Sequence, residues 1–319
     1  MPPVQRLFYE LDIDQVRRIV YGLDAALEPT GFSRLTGGSK EVYRIDLAGR
    51  AEPIVLKLYG DTPEWAPAKE ALVAGWFDRD LGVPIPRWLA VDESRTLLPL
   101  RFALMTWLPG RNLRSLIAEP DIESAYRQMG ELLRRVHAIP MSAYGYIRGA
   151  GIHDGRPTNA DYVIATFERS FRWFRRQGGD EGLAKRMEQG AEARFGLLAH
   201  SAGPVLCHDD FQPGNVLGAR GDDGALHLTG LIDFGNALAG DALSDLAKAL
   251  FCSAHEDTRS YAPLLEGYGP IDHSDPAEAL WLYTLFHRLI MWNWLVRLGD
   301  DPGSESLAGL LRDLDQMVR

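Results

Sequence analysis

The chain has 319 residues, which at ~150 residues per domain allows two domains or one domain of two lobes. Its 46% hydrophobic and 24% charged residues describe a globular chain with a core, and exclude a disordered tail, a collagen-like fibre and a disulfide-stapled scaffold. With 34 basic against 44 acidic residues and a net charge of −10, it is a poor clamp for nucleic-acid phosphates.

The opening MPPVQRLFYELDIDQ lacks the basic flank and apolar run of a signal peptide, and a short helix is expected there. Four strands follow, at 32–36, 41–47, 54–59 and 102–107, each a run of aliphatic and aromatic residues. Gly37-Gly38 separates the first two as a hairpin turn does. A helix is predicted from Thr62 or Pro67 to Phe77, stopped by the two prolines of GVPIP.

After Pro109-Gly110 the apolar period becomes helical. Ile122, Ala125, Met129, Leu133 and Val136 share one face, with Asp121 as the expected cap and Pro140 as the stop. Residues 141–160 read as irregular, and helices are expected at 161–177, 243–268 and 277–298. The run 279–299 is as long as a membrane span, but His287, Arg288, Asn293 and Arg297 interrupt it. Charges in mid-bilayer are expensive, so it reads as a buried, Trp-rich core helix. Cys207 and Cys252 are too few and too far apart for a zinc site or a disulfide framework. The expectation is a cytoplasmic protein with neither nucleic acid nor membrane as partner. The fold class expected is α+β, with a small β-rich lobe over 1–107 and a larger, mainly helical lobe over 108–319.

Two stretches carry chemistry. The first, VLCHDDFQPGNVL, places His208, Asp210 and Asn215 in a His-x-Asp-x4-Asn array across a Pro213-Gly214 turn. A carboxylate at that offset can accept a hydroxyl proton while the Asn amide oxygen binds a divalent cation. A polar turn between two strands would use the same residue types. The second, LTGLIDFGNALA, puts Asp233 at the end of an apolar strand, where a carboxylate is a good ligand for a hard cation. Two metal-competent loops in this order make the plain-turn reading of either one weaker.

These motifs resemble the aminoglycoside phosphotransferase and choline kinase group, whose fold is like that of protein kinases. CHDDFQPGN and LIDFGNALAGDALSDLAKA carry the resemblance, which extends over both lobes. It implies ATP (or GTP) and Mg²⁺ as cofactors, Asp210 as the catalytic carboxylate, His208 as support for its loop, and Asn215 and Asp233 as magnesium ligands. The antibiotic kinases often have Gly where this chain has Asp209. Lys57 sits in PIVLKLY, and the chain has five lysines against 29 arginines, so a lone Lys in an apolar strand suits a phosphate contact better than filler. Glu70, or alternatively Glu64, would fix it. Thr36-Gly37-Gly38-Ser39 resembles the family's phosphate-covering turn, and Met105 to Leu108, with Trp107, resembles the hinge that hydrogen-bonds adenine. No A-P-E element follows Asp233, against a protein kinase, and a pseudokinase would lack one of Lys57, Asp210, Asn215 or Asp233.

The acceptor is expected to be a small molecule. Residues 241–319 hold 13 acidic and 6 basic residues, a net of −7, including Asp241, Asp245, Glu256, Asp257, Glu266 and Asp272. A wall of carboxylates would favour a cationic acceptor of the aminoglycoside type; surface acids that serve solubility give the same count and leave choline, homoserine or a sugar open. Phe167, Phe171 and Phe174 alternate with arginines as in an amphipathic helix. His137, His153, His200, His255 and His287 show no metal-ligand spacing and read as structural.

Overall fold

The structure, a computed structural model, describes residues 9–35, 41–49, 52–60, 62–77, 81–299 and 304–319. In chain order it runs α1 (Ile13–Leu23), β1 (Pro29–Arg34), β2 (Glu41–Leu47), β3 (Ile54–Tyr59), α2 (Ala66–Ala74), β4 (Trp88–Asp92), β5 (Arg101–Thr106) and β6 (Arg111–Asn112). There follow α3 (Ile122–Val136), β7 (Tyr144–Arg148), β8 (Gly151–Arg156), α4 (Asn159–Arg176), α5 (Glu181–Glu192), β9 (Val205–Cys207), β10 (Val216–Arg220), β11 (Leu226–Leu231) and β12 (Leu238–Gly240). The chain closes with α6 (Ala242–Glu256), α7 (Tyr261–Tyr268), α8 (Pro276–Leu298) and α9 (Glu305–Met317). The expected α+β class is present. Packing divides the chain into two units: Met1–Ala118 with Arg148–Gly151 and Gly214–Gly235, and the remainder.

The first unit is built on an antiparallel sheet of order β1-β2-β3-β5-β4. In β2 the buried residues alternate, Tyr43, Ile45 and Leu47, as the two-residue period of a strand requires. They pack with Val16, Ile19 and Val20 of α1 and with Leu56 and Leu104. Asp12 and Gln15 close a capping box that starts α1. Strand β4 was not legible in the sequence, because it is short, mostly half-buried and shifted in register against β5. A second sheet, β11-β10-β6, belongs to the same unit. Packing therefore joins residues 214–235 to residues that precede the chain boundary expected at 107–110.

The second unit is mainly helical. Helix α3 has the expected bounds, but Asp121, although at the cap position, accepts no capping hydrogen bond. Residues 144–148 and 151–156, expected as irregular, form strands in a sheet of order β8-β7-β12-β9. The helix expected over 243–268 is two helices, α6 and α7. Asp257 breaks it by turning extended (φ −150°) and accepting hydrogen bonds from the Arg259 amide and guanidinium and from the Tyr126 hydroxyl. Helix α8 covers the Trp-rich run, with Trp292 buried and Trp294 about half exposed. No helix among the described residues is long and apolar enough to cross a membrane.

Candidate active site

Strand β3 lies inside the first sheet, with Lys57 paired to Val42 of β2 and Ala103 of β5. That placement buries the stem of Lys57 and leaves its ammonium 2.5 Å from Glu70 and 3.4 Å from Asp233. Glu70 comes from α2, whose first turn contains Pro67, a position where a missing N–H costs nothing. Of the two glutamates considered, Glu70 makes the pair; Glu64 is exposed in the turn before the helix. Burial works against the charge on Lys57, but the Asp233 and Glu70 carboxylates win and hold its pKa above the ordinary lysine value.

Asp233 follows β11 with φ +67°, in the left-handed region. A non-glycine residue held there is uncommon and marks a turn fixed by its surroundings. One fixture is Lys69, fully buried, whose ammonium donates to the Gly235 carbonyl at 2.8 Å. Another is Phe234, whose ring lies 5.0 Å from that of Phe77.

Within the same unit is a cavity of about 540 Å³. Val42, Val55, Met105, Leu217 and Ile232 supply apolar wall, and Lys57, Glu70, Asn215 and Asp233 a polar part. Met105 is paired in the sheet with Val55 and Trp88 and so offers the cavity its side chain. Trp107 and Leu108, just past the end of β5, also line it. At Gly110, φ is +107°, and a β-carbon would lie 2.6 Å from both the Gly218 carbonyl oxygen and the Thr229 hydroxyl; only glycine lets this turn meet β10. An apolar slot at the end of a sheet strand fits a nucleobase. Carboxylate and amide oxygens beside an ammonium fit a magnesium-bound phosphate chain. The turn at Thr36, Gly37, Gly38 and Ser39 lies outside the described residues.

The second unit holds His208 and Asp210 of the other motif, whose Asn215 belongs to the first. After β9, the backbone amides of His208 and Asp209 donate to the two oxygens of Asp245, at 2.7 and 2.9 Å. His137 reaches the same carboxylate at 3.1 Å and Tyr268 at 2.8 Å. Burial works to raise the Asp245 pKa, but hydrogen bonding and charge from His137, with help from His208, hold it below the ordinary carboxylate value. His208 is fully buried and edge-on to Phe211. Asp210 accepts from the Gln212 side-chain amide at 2.9 Å. His137, Cys207 and Asp245 place ligand atoms within 4.8 Å of one another. Burial raises the Cys207 thiol well above its usual range, and His137 and Asp245 are hydrogen-bonded to each other and to Tyr268 and the loop amides.

The acidic residues of the last 79 positions are largely engaged in structure. Asp241 caps α6 and Asp245 holds the loop. Asp257 binds Arg259 and Tyr126, and Glu266 pairs with Arg127. Sequence reading did not single out Lys69, Lys248 or Gln212. The scarcity of lysine that drew attention to Lys57 applies equally to Lys69 and Lys248.

The sequence matches the model of a family described as the phosphotransferase enzyme family over residues 32–282. No curated protein matches. Among solved structures, the chain is similar to a thermostable mutant of aminoglycoside phosphotransferase APH(4)-Ia in ternary complex with AMP-PNP and hygromycin B. Identity is 20%, the TM-score 0.71, and 96% of this chain and 98% of that one are covered. It is also similar to a GDP complex of an aminoglycoside 2'-phosphotransferase-IIIa mutant, at 16% identity and TM-score 0.64 over 96% and 97% of the two chains. The GDP and kanamycin complex of APH(2'')-IIIa matches at 15% identity and TM-score 0.63 over 95% and 97%. At these identities the likeness establishes the fold.

Proposed function

Because this chain belongs to the phosphotransferase enzyme family, a family of kinase-type enzymes, we propose that it moves the γ-phosphoryl group of ATP to a hydroxyl of a small molecule, using Mg²⁺. The observation that carries this reading is the buried Lys57–Glu70 pair beside Asp233, with Asn215, in an apolar-walled cavity. Lys57 would neutralise phosphate charge as a compact ammonium, and Glu70 would keep it in place. Asn215 and Asp233 would hold magnesium, which spreads the charge that develops on the transferred group. Met105 would pack on the base, and the Trp107 and Leu108 backbone would read its edge. Gly37, Gly38 and Ser39 would cover the phosphates.

Asp210 would orient the acceptor hydroxyl and take its proton late in transfer. Gln212 would help hold that carboxylate in place for the acceptor. His208, fully enclosed, would support the loop rather than touch substrate. The division of labour we propose runs along the chain: 1–107 clamps the nucleotide, and 108–319 provides catalysis and the acceptor wall. The AMP-PNP and GDP complexes of similar folds support ATP, with GTP as a second donor.

For the acceptor, the hygromycin B and kanamycin complexes of those folds support an aminoglycoside-type molecule. A neutral metabolite is the second reading. It is favoured by the structural engagement of Asp241, Asp245, Asp257 and Glu266, which removes four carboxylates from the argument for a cationic substrate. The test is a panel of aminoglycosides, choline, homoserine and sugars, each with Mg-ATP and Mg-GTP, read as KM against ionic strength. A cationic acceptor predicts KM rising with salt; a best acceptor that is neutral, with KM insensitive to salt, selects the metabolite reading.

A further inference from the structure

The departure at Asp209, where the resembling antibiotic kinases often have Gly, has a physical counterpart in the second unit. Asp209 sits at φ +55°, in the region where glycine is at ease and a side chain is not. Every polar group of the residue is nonetheless engaged. Its amide donates to Asp245 at 2.9 Å. Its carbonyl accepts from the Lys248 ammonium at 2.5 Å, and its carboxylate meets the same ammonium at 3.0 Å.

Lys248 comes from the second turn of α6, three residues after Asp245. One helix therefore holds Asp209 by its N–H, its C=O and its side chain. The peptide plane that carries the Asp209 carbonyl also carries the Asp210 amide. Fixing that carbonyl fixes the Asp210 nitrogen and Cα, the base from which its side chain leaves the backbone. His287 packs on the other side of this arrangement. Burial pushes its pKa down to about 3, with Lys248 adding to the fall. It is neutral, donates through Nε2 to the Ser244 carbonyl at 2.9 Å, and leaves Asp209, 4.0 Å from its Nδ1, to balance Lys248.

Lys248 also feels the charge of Asp210. A largely buried ammonium stripped of its partner turns to the nearest remaining carboxylate, since an uncompensated buried charge is costly. Without Asp209, Asp210 is a remaining carboxylate whose charge reaches Lys248, while Asp245 is held by His137 and the His208 and Asp209 amides.

We propose that Lys248 and Asp209 form a positioning pair that aims Asp210, Lys248 fixing the preceding carbonyl and Asp209 serving as the counter-ion that keeps Lys248 off the reacting carboxylate. This rests on the reading of Asp210 as the proton acceptor. Asp209 stands where glycine would supply the backbone turn alone, and the pair adds the orientation that glycine leaves free.

The two partners fail in different ways when removed singly. Lys248→Met leaves the Asp209 carbonyl and carboxylate unheld. Asp209→Gly keeps the turn but frees Lys248 to capture Asp210. Asp209→Gly with Lys248→Met removes the stray ammonium and the unpaired carboxylate together, and leaves only the carbonyl at 209 unheld. The experiment measures magnesium-dependent nucleotide turnover, with water and with the acceptor panel, in the full chain. Each single variant is expected to lose kcat by at least about tenfold, with nucleotide KM within about twofold, and the double variant to lose clearly less than the product of the two singles.

A double variant at or below the product of the two singles, or singles at parental kcat, would overturn the pair. Asp209→Asn keeps the left-handed turn and the shape while removing the counter-charge. It is expected to lose kcat as Asp209→Gly does, and a folded Asn variant at parental kcat would overturn the proposal whatever the Lys248 variants do. Asp210→Ala separates the two levels of argument. Its inactivity beside unaffected pair variants sinks only the pair. Its full activity, or a wild-type protein with no magnesium-dependent turnover, sinks the reading of Asp210 and the pair with it.

Discussion

Asp210 and Asp233 are both carboxylates on turns, but their proposed duties differ, and single substitutions separate them. Asp210→Ala is expected to keep nucleotide binding and to lose turnover by ~10²–10⁴, the range for a general acid–base group. Asp233→Ala is expected to lose the magnesium dependence of nucleotide binding, measured by calorimetry with and without the metal. Lys57→Met removes the ammonium that answers the buried Glu70 charge, so a loss of about 3–5 kcal/mol in unfolding free energy should accompany weaker nucleotide binding. Parental thermal stability in that variant would contradict the account of the pair. Lys57 was legible because a lysine inside an apolar strand is costly unless something answers its charge. The choice between Glu70 and Glu64 was not, since two prolines blur where α2 begins and one helical turn decides which glutamate faces the strand. Lys69 and Lys248 escaped notice because each lies in a helical stretch, where a lysine on the solvent face is ordinary.

Helices α3 and α7 meet through glycines. A β-carbon on Gly130 would run into the backbone of α7 at Leu264 and Tyr268, and one on Gly267 into the Arg127 carbonyl of α3. Gly130→Ala is therefore expected to destabilise the second unit by at least about 1–3 kcal/mol, as overpacking does, read from a chemical denaturation curve. An unchanged midpoint would show that the helices can part without cost. Helix α3 itself was readable from its apolar spacing alone, because Ala125, Met129 and Val136 form one buried face. Strands β7 and β8 were not. Their residues, YGYIR and GIHDGR, are rich in glycine and polar residues, and four of the six in β8 are exposed. What makes them strands is pairing across a sheet order that skips from β7 to β12, and no local period announces such pairing. The break between α6 and α7 was hidden for a similar reason. Asp257 ends the helix through Tyr126, 131 residues away.

Acid sensitivity belongs to the molecule as a whole. His287 is held neutral with a pKa near 3, below the ~6.5 of an unfolded histidine. The unfolded chain binds a proton there that the folded one does not, so this contribution is full above pH ~6.5 and is lost as pH falls toward 3. Asp245, whose folded pKa is depressed, adds stability above the unfolded value of ~3.9 that disappears as pH falls through the folded value. His287→Gln, which keeps a donor for the Ser244 carbonyl, is expected to lose less stability than wild type between pH 6.5 and 4 in parallel melts. Equal losses would remove His287 from the account. The net of −7 over residues 241–319, read in sequence as a hint of a cationic acceptor, is in part the cost of architecture, because helix caps and loop anchors draw on the same acids. The central claim is phosphoryl transfer, and the most direct measurement incubates the full chain with magnesium, γ-labelled ATP and the acceptor panel and follows the label by mass spectrometry. The account predicts one acceptor that gains a single phosphoryl group on a hydroxyl, only with magnesium and not with Asp210→Ala. Tight Mg-ATP binding with no labelled acceptor and no hydrolysis, or equal labelling by wild type and Asp210→Ala, would contradict it.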